Sequence, residues 1–201
     1  MRAGTRREFI AGPAGRIECA VDGPESSRGS QRVGIALVAH PHPLFGGTLD
    51  NKVVQTLARA FVELGYEAWR PNFRGVGETE GTHDEGRGEL EDLAAIVAHL
   101  KPARLALAGF SFGAGVQVFL AQRVKAEHLV LVGLATTRFE LPRVQAGTLL
   151  IHGEQDDTVP LASVLDWARP QELPVVVIPG ADHFFHRKLN LLRELVRKHC
   201  A

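Results

Sequence analysis

From Val33 onward, short apolar runs alternate with stretches of helical periodicity. The runs are Val33–Ala39, Tyr66–Trp69, Arg104–Ala108, Leu129–Val132, Thr148–Ile151 and Val175–Ile178, each bounded by Gly, Pro or charge. Near-continuous apolar runs of this kind fit strands buried on both faces of a parallel sheet. Between them, Leu49, Val53, Leu57, Phe61 and Leu64 line one face of a helix. Leu90, Leu93, Ala94, Val97 and Leu100 line a second, and Leu189, Leu192, Leu195, Val196 and His199 a last one. Ahead of this core, Phe9–Ala11 and Arg16–Val21 flank Gly12-Pro13-Ala14-Gly15, which predicts a hairpin, and Asp22 to Ser30 reads as a loop. The pattern therefore predicts one α/β domain over 1–201, with a hairpin over 5–21 and a parallel core over 33–201. Its doubly wound, mostly parallel sheet should have about eight strands flanked by helices. Ligands of such sheets bind beyond the carboxyl ends of the strands. The loops to search follow Ala39, Trp69, Ala108, Val132, Ile151 and Ile178.

Composition narrows the classes of function. The 23 Lys and Arg residues balance the 23 Asp and Glu residues, so the basic surplus of a nucleic-acid binder is missing. Cys19 and Cys200 form no CxxC pair, which argues against a zinc ribbon, an iron–sulfur cluster or a disulfide scaffold. No apolar run nears the roughly 18 residues of a membrane span, so no membrane partner is expected. Thr5-Arg6-Arg7-Glu8-Phe9-Ile10 has the look of a twin-arginine export signal. Pro13, Arg16, Glu18 and Asp22 then interrupt the apolar segment such a signal needs. The arginines are accordingly expected at the start of a first strand, and the protein in the cytoplasm.

The chemistry concentrates in three loops. Gly109-Phe110-Ser111-Phe112-Gly113 fits G-x-S-x-G and lies between a buried run and the helical segment Ala114–Arg123. That context predicts a nucleophile elbow, a sharp turn holding the Ser111 hydroxyl above the sheet. The Phe112 amide, at the helix start, would face a developing oxyanion. A nucleophilic serine needs a base, and the base an orienting carboxylate. His152-Gly153-Glu154-Gln155-Asp156-Asp157-Thr158-Val159-Pro160 follows the fifth run of the core, and Pro179-Gly180-Ala181-Asp182-His183-Phe184-Phe185 the sixth. His40 and His42 could be read as metal ligands, but no third ligand stands at a regular spacing, so no metal is expected. His152 reads as structural, as does Arg74. Glu89, Glu91 and Asp92 sit around a helix start, where the dipole favours acids.

On these residues, with His40-Pro41-His42-Pro43-Leu44-Phe45-Gly46-Gly47 and Asn72-Phe73-Arg74-Gly75-Val76-Gly77, the chain resembles the α/β-hydrolases. It is most similar to small bacterial members of dienelactone-hydrolase-like or acyl-peptidase-like type. The resemblance implies Ser111 as nucleophile and His183 as base, with His186 as rival. It implies Asp156 as the acid, with Asp157 as rival. The second oxyanion donor would be the backbone N–H of His42, with Leu44 as the alternative. Prolines 41 and 43 have no N–H to offer. Only fifteen residues, Gly133 to Gly147, separate the fourth and fifth runs, too few for a helical cap. The implied function is a cofactor-free serine hydrolase that cleaves a small-molecule carboxylic ester, or a thioester or amide, as a monomer or homodimer. The alternatives are a non-catalytic binding protein on the same fold and an acyltransferase or perhydrolase using the same triad.

Overall fold

A computed structural model of the chain describes residues 4–23 and 33–201. Most of the loop expected over Asp22 to Ser30 therefore lies outside the described residues. Eight strands form one sheet: β1 (Arg6–Gly12), β2 (Gly15–Asp22), β3 (Gly34–Ala39), β4 (Tyr66–Pro71), β5 (Leu105–Phe110), β6 (His128–Val132), β7 (Leu149–Gly153) and β8 (Val175–Ile178). Their order is β1-β2-β4-β3-β5-β6-β7-β8. The hairpin strands pair antiparallel and β2 joins β4 antiparallel, whereas β4 through β8 are parallel. Every predicted run is a strand, and Arg6 opens the first. Among the described residues five α-helices connect them: α1 (Lys52–Glu63), α2 (Arg87–Leu100), α3 (Phe112–Leu120), α4 (Leu161–Ala168) and α5 (Leu189–Cys200). None is long and apolar enough to cross a membrane.

The strands are apolar throughout because both faces are covered. Along β3, Ile35, Leu37 and Ala39 join the cluster that α2, α3 and α4 close, while Ala36 and Val38 join the one closed by α1 and α5. A fully buried Leu or Val contributes about 1.5–3 kcal/mol through lost apolar surface. Slippage by one residue would exchange the two sets. The helices begin where the sequence can cap them. Asn51 Oδ1 accepts the Val53 N–H at 2.9 Å ahead of α1, and Glu89 reaches back to the Gly86 N–H at 2.9 Å ahead of α2.

Topology places the site. From β3 the chain moves outward to β4, then returns past β3 to β5. The loops leaving β3 and β5 thus diverge at the carboxyl edge, where the sheet order reverses and open α/β sheets bind ligands.

Candidate active site

Ser111 occupies the turn between β5 and α3 at φ 55° and ψ −118°. A non-glycine residue there is strained, and the surroundings hold it in place. The flanking glycines make the turn possible. A Cβ at Gly109 would stand 2.6 Å from the Ala114 nitrogen, and one at Gly113 would stand 2.4 Å from the His40 carbonyl oxygen. β5 can therefore run into α3 only with those side chains deleted.

The structure brings together Ser111, His183 and Asp156, from the loops after β5, β8 and β7. Ser111 Oγ is 3.1 Å from His183 Nε2, and His183 Nδ1 is 2.7 Å from Asp156 Oδ2. All three side chains are buried. Asp156 Oδ1 accepts the backbone N–H groups of Thr158 (3.0 Å) and Val159 (2.8 Å), which leaves Oδ2 for the imidazole. Burial alone would raise the Asp156 carboxyl, but hydrogen bonds from His183 and the Val159 N–H outweigh it and hold the group below its ordinary range. Asp157 is exposed and, among the described residues, accepts only the Thr158 hydroxyl. His186 pairs with Asp182 on the surface. It stands ahead of α5, not within the last helix as the periodicity implies.

Two backbone donors near the serine are unclaimed, and the rings of their residues, His42 and Phe112, lie 4.8 Å apart. Phe112 opens α3, and its N–H has no acceptor among the described residues. Of the candidates in the loop after β3, Leu44 donates to His42 Nδ1 at 3.2 Å and Phe45 donates to the His42 carbonyl at 3.2 Å. The His42 N–H has no acceptor among the described residues. Leu44, the alternative, is thus already engaged.

The remaining histidines separate by their partners. His40 accepts the Phe73 N–H at Nε2 (2.9 Å), so its proton lies on Nδ1, 2.6 Å from the Pro41 carbonyl. It ties the loop after β3 to the loop after β4. His152 holds the Val159 carbonyl at 2.9 Å, and burial lowers its basicity. Arg74 makes two bonds to Asp92, at 2.8 and 2.7 Å. Glu91 pairs with Arg123. Sequence reasoning missed Gly133, at φ 54°, where a Cβ would lie 3.3 Å from His183 Cε1. The glycine after β6 leaves room for the imidazole, and its position at a strand end was the available signal.

Burial holds His40 down to about 4, which sets a stability prediction. The folded ring stays neutral while the unfolded ring, near 6.5, takes up a proton. Its contribution is complete above pH 6.5 and is lost as pH falls toward 4, to the extent of about 3 kcal/mol. Urea denaturation at pH 7 and pH 4.5 should show this loss, and His40→Gln should flatten it. A variant with the wild-type slope would refute the assignment.

No protein-family model matches the chain. It is 32% identical over 200 residues to the uncharacterized protein RP471 of Rickettsia prowazekii, covering 90% of this chain and 82% of that one. Among solved structures it is similar to XC6422 from Xanthomonas campestris, described as an a/b serine hydrolase without lid. The identity is 37% and the TM-score 0.90, with 99% of this chain and 94% of that chain covered. An alpha-beta serine hydrolase homologue from Coxiella burnetii is also 37% identical, with a TM-score of 0.86 and all of both chains covered.

Proposed function

The chain belongs to the α/β-hydrolases, and from that premise we propose that it is a serine hydrolase acting on small carboxylic esters through an acyl-enzyme on Ser111. The observation that carries this reading is the unbroken line from Ser111 Oγ through His183 to Asp156, beside the unclaimed N–H groups of Phe112 and His42.

In the proposed mechanism Ser111 Oγ attacks the carbonyl carbon while its proton passes to His183 Nε2. Asp156 keeps the other imidazole proton on Nδ1 and stabilises the imidazolium. The Phe112 and His42 amides receive the tetrahedral oxyanion, each such donor contributing about 3 kcal/mol. Collapse expels the alcohol with the proton returned by His183. A water molecule then repeats the sequence on the acyl-enzyme, and the acid leaves. An ester suits this machinery better than an amide, because an alkoxide leaves more readily than an amine. Leu44 and Phe45, in the loop carrying His42, and Phe184, beside His183, are exposed apolar side chains. They favour an uncharged substrate. Between β6 and β7 the chain is irregular, and no helix covers the serine there.

Intact-mass measurement after fluorophosphonate treatment tests the proposal. One adduct on the wild type and none on Ser111→Ala is expected. No adduct on folded wild-type protein would overturn the mechanism and favour a binding protein on this fold.

A further inference from the structure

We propose that His42, His83 and Glu85 form a site for one divalent transition-metal ion, with zinc as the best match. Each offers one ligand atom, and the three atoms lie within 4.8 Å of one another. The sequence pairs His42 only with His40, and the fold sends these two apart. His40 is committed to Phe73 and Pro41, while the His42 ring lies 4.7 Å from the His83 ring.

His42 is 7% exposed, yet its Nε2 has no hydrogen-bond partner. A buried ring nitrogen without a partner forgoes a hydrogen bond that water would supply. Both nitrogens of His83 are also without a well-aligned partner. His83 Nδ1 does lie 2.8 Å from Glu89 Oε1, so the approach is close but oblique. Glu89 is fully buried and fixed by the Asp84 and Gly86 N–H groups. A carboxylate behind one nitrogen of a histidine is the usual support for a metal ligand, and a small rotation of the His83 ring would align Nδ1 with Glu89, keep the proton on that side and leave Nε2 for the ion. On that free side Glu85 Oε1 lies 3.4 Å from His83 Nε2. Ligands about 2.1 Å from a tetrahedral ion stand roughly 3.4 Å apart, so this edge already has the required length, and His42 or Glu85 closes the rest by side-chain movement. Two imidazoles and one carboxylate suit zinc, nickel or copper, not calcium or magnesium, which demand oxygen ligands. Three protein ligands leave a position open to water or an added anion.

The site has one built-in cost. Leu44 donates its N–H to His42 Nδ1 at 3.2 Å, so the neutral ring carries its proton on Nε2. Coordination at Nε2 moves that proton to Nδ1, where it faces the Leu44 N–H. Occupancy therefore displaces the Leu44 contact and couples the ion to the loop that carries the His42 amide.

The test is calorimetric titration of chelator-treated protein with zinc chloride, beside cobalt(II) titration followed by visible absorption. Wild type should bind one equivalent, with cobalt bands of a four- or five-coordinate ion. His83→Ala and Glu85→Gln should each weaken binding at least about tenfold. His186→Ala, on a separate surface pair, should not. Glu85 is exposed, so its variant keeps the fold, which circular dichroism verifies. Absence of one-equivalent binding, binding that survives both variants, or binding that depends on His186 would each overturn the proposal. Fluorophosphonate labelling of the same metal-free preparation separates this outcome from a failure of the serine mechanism.

Discussion

Ser111→Ala is expected to lower kcat by about a million-fold, His183→Gln to cost nearly as much, and the double variant to lose little more. The reason is geometric. In the proposed mechanism Ser111 Oγ and His183 Nε2, 3.1 Å apart, share a single proton transfer, so either loss removes the same step. The Phe112 and His42 amides remain, and a residual acceleration of about a thousandfold over water should persist. Alanine keeps the Cβ that already tolerates φ 55° at this turn, so the fold is retained and the urea midpoint should match that of the wild type. Rates on a short-chain aryl ester, measured for both single variants and the double, decide the matter. Multiplicative losses, or a Ser111→Ala enzyme within a hundredfold of wild type, would mean that the two side chains do not form one catalytic unit.

The parts of the molecule legible in the sequence are those fixed by local pattern. Apolar runs locate the six parallel strands to within a few residues, because a sheet covered on both faces leaves few places for polar side chains, and the Gly12-Pro13-Ala14-Gly15 turn locates the two hairpin strands. The elbow is legible because two glycines and a serine satisfy a steric demand within five residues. α4 was equally available, since Leu161, Val164, Leu165 and Ala168 stand at helical spacing, yet the run is short and adjoins the acid loop. What sequence could not resolve depends on where a backbone group is spent. The resemblance ranks His42 ahead of Leu44, but the residues alone leave both open until the Leu44 N–H is found on His42 Nδ1. The pairing of His42 with His83 joins loops after β3 and β4, and the two residues lie 41 positions apart, beyond any local spacing rule. Gly133 matters only through the imidazole above it. Neighbouring aspartates pose the same problem on a smaller scale, and only the turn at Thr158 and Val159 separates them.

That separation gives the second large expected effect: Asp156→Asn should lower kcat by about ten-thousand-fold, whereas Asp157→Asn should leave it unchanged. Asp156 Oδ1 accepts two backbone N–H groups, so an asparagine keeps its carbonyl oxygen there and turns its NH2 toward His183. An NH2 donor requires a lone pair on His183 Nδ1. The imidazole proton then moves to Nε2, the atom that must accept the proton of Ser111 Oγ. The base is present and correctly placed, but in the wrong tautomer. Substrate binding should be nearly unaffected, so KM holds while kcat falls, because the defect appears only when the proton must move. Loss of activity in Asp157→Asn with retention in Asp156→Asn would reassign the acid. Equal loss in both, with lowered urea midpoints, would mean that the loop had unfolded and not that the tautomer had changed.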